Sequence, residues 1–178
     1  MFGKRLSLRE HGLSNLELDT VRRVRKALID AHLPDSVQDL NISTRNTAEA
    51  AKALGVELGA IAKTVVYTIG NRFVMVMVAG DHECREDQLS KIFNLEGDVV
   101  RPAADLVRAV TGFAPGAVSL LGSVSKLPTA IDASLKRFDK IYVAAGHGDC
   151  VYATSVDDLK AVSNATVSYA VATPVVPA

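Results

Sequence analysis

Tryptophan is absent from this chain, aromatic residues make up only 5% of it, and cysteine occurs just twice. The two cysteines, Cys84 and Cys150, stand at no metal-like spacing, so no disulfide framework is expected and a reducing compartment suits the sequence. An excess of either charge is also missing, with 20 basic and 20 acidic side chains. Broad neutralisation of a phosphate backbone needs a basic surplus, so an RNA partner would have to be held at one small end. No apolar run approaches the roughly 18 residues that cross a bilayer. The longest, "FVMVMVA", has the length of a strand, and no membrane partner is expected. "MFGKRLSLREHG" has no apolar core of a secretory signal, which places the expected location in the cytoplasm. The G-x-S-x-G elbow, the P-loop, G-x-G-x-x-G after a strand and H-E-x-x-H are all missing. "DHEC" (81–84) sets ligand types side by side without a second cluster, so neither metal nor cofactor is expected.

What remains is a 178-residue sequence, 48% hydrophobic, with the size and composition of a single globular domain spanning 1–178. Residues 14–33 carry Leu18, Val21, Val24 and Leu28 at helical spacing, with Asn15 as a plausible N-cap and Pro34 just past the end. Arg22, Arg23, Arg25 and Lys26 lie on that helix, either against a phosphate backbone or as a solvated face. Thr47 is an apt N-cap for an alanine-rich helix closing at Gly55. Residues 62–69 read as a strand, Gly70-Asn71 as a two-residue hairpin turn, and 73–79 as a partner strand apolar on both faces and hence central. "REDQLSKIF" reads as a helix, and "DVVRPAADLVRAVTG" as a strand stub with a helix stopping at Gly112. "TAIDASL", "KIYVAAG" and "CVYATS" read as strands, and "SVDDLKAVS" as a helix opened by Ser155 and Asp158. The tail 172–178 is expected to fray. The pattern predicts a mixed α/β (α+β) domain around a sheet, not a regular doubly wound one.

Three features invite a chemical reading. Lys63 interrupts an apolar strand, so its ammonium must reach water, meet an anion or take part in chemistry. The loop "GFAPG" (112–116) and the turn Gly146-His147-Gly148 are glycine-rich. Each is either a plain turn or a set of main-chain N–H groups converging on a developing oxyanion.

Beyond single features, the segment 43–160 resembles the YbaK/prolyl-tRNA synthetase-associated domain, a family of aminoacyl-tRNA deacylases. The stretches that carry the resemblance are "TAEAAKALG", "IAKTVVY", "VAGDH", "TGFAPGAVSLLG", "IDASL", "VAAGHGD" and "SVDDL", in that order. The helix 14–33 resembles the lead-in of free-standing members. The resemblance implies a curved mixed β-sheet wrapped by helices, and hydrolysis of the ester joining a wrong amino acid to the 3′ end of a tRNA. It sets the family's lysine on Lys63 and its Gly-x-x-Pro-Gly loop on Gly112, Phe113, Ala114, Pro115 and Gly116. Lys63 and Gly112 are then the expected catalytic positions, the lysine anchoring substrate and the loop stabilising the oxyanion while water attacks. Substrate contacts are expected from Thr44, Thr64, Gly80, Asp81, Phe113 to Gly116, Ser119, Gly146 and His147. His147 either meets the terminal adenosine or caps a turn. The expected partners are the acceptor end of a mischarged tRNA and an aminoacyl-tRNA synthetase. Two departures bear on the amino-acid pocket: Thr64 stands where alanine-specific members carry Asn, and "SLLG" (119–122) replaces "SPFG". A catalytically idle adaptor binding a nucleotide or a synthetase, and a small-molecule esterase, are the competing readings.

Overall fold

The computed structural model describes residues 14–41 and 46–176. Ten strands occur among them: β1 (Gln38–Asp39), β2 (Ile61–Ile69), β3 (Arg72–Ala79), β4 (His82–Cys84), β5 (Val99–Val100), β6 (Thr129–Asp132), β7 (Ile141–Ala144), β8 (Cys150–Thr154), β9 (Thr166–Ser168) and β10 (Ala172–Pro174). The helices are α1 (Asp19–Asp30), α2 (Thr47–Leu54), α3 (Glu86–Phe93), α4 (Ala104–Thr111) and α5 (Val156–Ser163). Eight strands form a mixed sheet in the order β1-β8-β7-β2-β3-β6-β9, with β5 joined to β2, and β4 pairs with β10 in a separate ribbon.

The hairpin forms as its sequence dictates, with Ile69 opposite Arg72 across Gly70-Asn71. β3 lies between β2 and β6 and buries both its faces. Met75 and Met77 pack into one core with Val21, Val24 and Leu28 of α1, whereas Val74, Val76 and Val78 pack into a second with Leu89 of α3. β2 divides likewise: Ala62 and Val66 join the first core, Val65 and Tyr67 the second. This period-2 partition is the physical meaning of a strand apolar on both faces.

Some local expectations need correction. Ser14, not Asn15, caps the first turn, a short 3₁₀ segment at Asn15–Glu17, and α1 begins after it with no side-chain cap. Asn46 rather than Thr47 caps α2, its side chain accepting the Glu49 N–H. "TAIDASL" is a strand only as far as Asp132, after which a 3₁₀ turn begins. Nor does the tail fray from residue 172: Ala172–Pro174 is β10, paired with β4, and Val175 N–H donates to the Asp81 carbonyl.

Candidate functional site

The site begins with a split in the sheet. β7 runs parallel to β2 for two residue pairs, Ile61 beside Tyr142 and Ala62 beside Val143. β5 takes up the same edge of β2 only at Thr68 and Ile69. Between them, residues 63–67 have β3 on one side and, among the described residues, no strand on the other. In an antiparallel pair, alternate residues turn their N–H and C=O groups toward opposite neighbours. The two-residue turn makes Ile69 and Arg72 a hydrogen-bonded pair, so Thr64 and Val66 aim their main-chain groups at the open edge.

A cavity of about 630 Å³ fills this split. Its walls include the consecutive residues Ile61 to Val65, a run that a cavity on one face of a strand would contact only alternately. Ala114 to Val118 line it too, together with Tyr142, Ala144, the Gly146-His147-Gly148 turn and Asn46, Thr47 and Ala50 of the α2 region. Lys63, Thr64, Ala114, Pro115, Gly116, Gly146 and His147 are thus brought together around one space.

Other expected site residues lie elsewhere. Gly112 does not line the cavity. It is the left-handed residue (φ 77°) that ends α4, its N–H donates to the Arg108 carbonyl and its own carbonyl is taken by Arg23. Phe113 is buried behind the loop, and its N–H donates to Thr111 Oγ1. Ser119 is fully buried away from the cavity wall. Gly80 packs under Leu58, whose carbonyl oxygen leaves no room for a Cβ. The Asp81 carboxylate is held by both Arg137 Nη atoms, at 2.8 and 3.0 Å, and by His82 Nδ1 at 2.7 Å. Gly80 and Asp81 therefore support the fold beside the cavity rather than line it. Thr44 lies outside the described residues.

These contacts decide which amides are available. Ala117 N–H donates to the Ala114 carbonyl, and Pro115 has no N–H. The N–H groups of Ala114 and Gly116 are then the two in the loop 112–117 that have no acceptor among the described residues. Both residues line the cavity.

Lys63 projects from the β2 face that carries Val65 and Tyr67. Its ammonium donates to the His82 carbonyl at 2.6 Å, leaving two N–H bonds for other acceptors. Burial draws its pKa below the ordinary lysine value, against the opposing pull of the Glu83 and Asp81 carboxylates. Thr64 Oγ1 is buried without a hydrogen-bond partner among the described residues. His147 Nδ1 accepts the Asp149 N–H at 3.1 Å, which puts the neutral ring's proton on Nε2 and makes that atom a donor. Burial raises the pKa of Cys84, and that of Cys150 to about 12, so both thiols are inert at neutral pH. No group of three or more His, Cys, Asp or Glu side chains suited to a metal occurs among the described residues.

One residue grouped in the sequence with the phosphate-facing or solvated cations of α1 belongs instead to the site region. Arg23 of α1 reaches the carbonyls of Gly112 and Gly122, 89 and 99 positions away, and no local pattern announces contacts so distant.

Comparison with known proteins bears on this arrangement. A family model described as the aminoacyl-tRNA editing domain matches residues 43–162. Over 128 residues the chain is 25% identical to the uncharacterized protein YwhH of Bacillus subtilis, covering 71% of this chain and 80% of that one. Over 130 residues it is 29% identical to a proline–tRNA ligase of Trichlorobacter lovleyi, covering 72% of this chain but only 21% of the ligase. Among solved structures, a candidate trans-editing enzyme for prolyl-tRNA synthetase superposes with a TM-score of 0.78 at 28% identity, over 85% of this chain and 96% of that one. A scaffold protein used for computational epitope grafting gives 0.79, also at 28% identity and with the same coverage.

Proposed function

The chain belongs to the aminoacyl-tRNA editing domain family, and from that premise we propose that it is a hydrolase of mischarged aminoacyl-tRNA. The observation that carries this reading is the cavity joining Lys63 to the unpartnered Ala114 and Gly116 amides. An aminoacyl ester is already activated, so orientation, oxyanion stabilisation and access for water suffice.

In this reading the ester carbonyl lies against the Pro115 bend. The N–H groups of Ala114 and Gly116 receive the charge that develops on its oxygen as water adds. The ribose oxygen leaves with a proton derived from that water, giving free amino acid and uncharged tRNA. Lys63 fixes the substrate through its two remaining N–H bonds. The carbonyls of Thr64 and Val66 at the open strand edge offer acceptors to the α-ammonium. His147 Nε2–H donates to the ribose or the terminal adenosine and is not the base. Amino-acid selection rests on Thr64 and the wall 114–118, where each small difference in fit is worth ~1–3 kcal/mol. The tRNA is engaged at its acceptor end in the cytoplasm, and a synthetase is the second partner.

The test is a deacylation panel of tRNAs charged with Ala, Ser, Thr and Cys, with wild type and Lys63→Ala. Turnover of at least one mischarged tRNA, lost in the variant, is expected. Binding without turnover would instead indicate an adaptor. Hydrolysis of simple esters alone would indicate an esterase without an RNA partner.

A further inference from the structure

The cations of α1 do not behave alike. Arg22, Arg25 and Lys26 pair with Glu17, Asp35 and Asp30. Arg23 has no carboxylate partner among the described residues and turns inward. Its Nη2 donates to the Gly112 carbonyl at 2.9 Å and its Nε to the Gly122 carbonyl at 2.6 Å. Its guanidinium carbon lies 4.5 Å from the centre of the Phe113 ring.

Gly112 and Gly122 are the two ends of the loop whose tip carries Ala114 and Gly116. A planar guanidinium can bridge two carbonyls and stack on an aromatic face at once, which the point charge of a lysine cannot do. The contact is close: a Cβ on Gly112 would lie 2.5 Å from Nη2. The same helix also backs the other glycine turn of the site, the Thr20 carbonyl oxygen standing 2.6 Å from where a Cβ on Gly146 would be. A second tie closes the neck independently, from Val124 N–H to the Thr111 carbonyl. Loss of Arg23 therefore leaves the loop closed but frees its pitch. Notably, α1 lies outside the matched segment 43–162.

We propose that Arg23 is a positioning residue for the proposed hydrolysis, setting the angle at which the Ala114 and Gly116 amides face the cavity. The proposal rests on the editing reading for its catalytic consequence, not for its structural one. Misplacing reacting groups by about 1 Å costs on the order of 10²-fold in rate.

The test compares wild type, Arg23→Ala, Arg23→Lys and, as a control for charge on the same helix, Arg22→Ala. Single-turnover deacylation, KM and the amide NMR shifts of Ala114 and Gly116 are measured on each. Arg23→Ala should lower the chemical rate about 10–100-fold with little change in KM, and methylguanidinium at millimolar concentration should restore part of it. Arg23→Lys should not recover the rate, and Arg22→Ala should match wild type. The two amide shifts should move while those of β3 stay fixed. A folded Arg23→Ala protein with wild-type rate and unmoved amide shifts would overturn the proposal. Should the wild type prove inert on every charged tRNA, the editing reading fails, and the amide shifts alone decide whether Arg23 sets the loop.

Discussion

Two charged side chains next to the cavity respond to pH in opposite ways. Lys63 loses its proton more readily than an ordinary lysine because burial penalises its ammonium. If the ammonium anchors substrate, deacylation corrected for spontaneous hydrolysis should fall on an alkaline limb below pH 10.5, and Lys63→Arg should carry that limb upward. Lys63→Ala should lower kcat/KM by ~10²-fold or more, read on the best substrate of the panel. Asp81 shows the converse. Hydrogen bonds from Arg137, opposed by burial and aided by His82, hold its carboxyl at about 2 rather than 3.8. Its folded-state pKa is depressed, so its stabilising contribution is whole above pH 3.8 and disappears as the pH falls to about 2. Asp81→Asn should flatten the acid limb of a denaturation curve in that window, while a parallel loss near pH 7 reports the broken Arg137 pair. At this scale the sequence was informative where a residue contradicts its surroundings, as Lys63 does in an apolar strand. It grouped Arg23 with the outward cations of α1, because the role of Arg23 depends on carbonyls that only the fold brings near. It was misleading at Asp81, because a carboxylate beside a glycine near a pocket looks the same whether it meets a ligand or an arginine.

Elements declared themselves through periodicity and turn chemistry. The β2–β3 hairpin followed from Gly70-Asn71 between apolar runs, and the ends of α2 and α4 from Gly55 and Gly112, both in the left-handed region. The cap of α2 slipped by one position because Asn46 and Thr47 are both good caps, and only the Glu49 N–H geometry separates them. β10 was illegible, since "ATP" carries no strand pattern and its pairing with β4 is a tertiary choice. The apolar stripe of α1, by contrast, predicted its own burial. Leu28 is 1% exposed, and Leu28→Ala should cost about 2–5 kcal/mol of unfolding free energy, measured by denaturant titration. Because α1 also backs the glycine turns, the same variant should blunt deacylation before it unfolds the sheet.

At the scale of the molecule, charge balance limits how tRNA is held. With 20 cations against 20 anions, and Arg22, Arg25 and Lys26 already paired on α1, few phosphates can be neutralised. The tRNA dissociation constant should change little between 50 and 200 mM salt, well short of the roughly 10³–10⁵-fold loss that accompanies six to ten phosphate contacts. A steep log–log slope would disprove an acceptor-end mode. Segregation of the two cores by the sheet was visible in the doubly apolar β3. That one strand edge is left unpaired among the described residues was not, because pairing gaps leave no trace in composition.

That gap has a consequence for how such a protein diversifies. One wall of the chamber includes the backbone of a strand whose other edge stays zipped to β3, so the main-chain groups of Thr64 and Val66 keep their places whatever side chains the strand carries. The facing wall is a bend that no ladder holds. Substitutions there retune which side chain is admitted without disturbing the frame, so a change of diet for this scaffold needs only a new bend, never a new sheet.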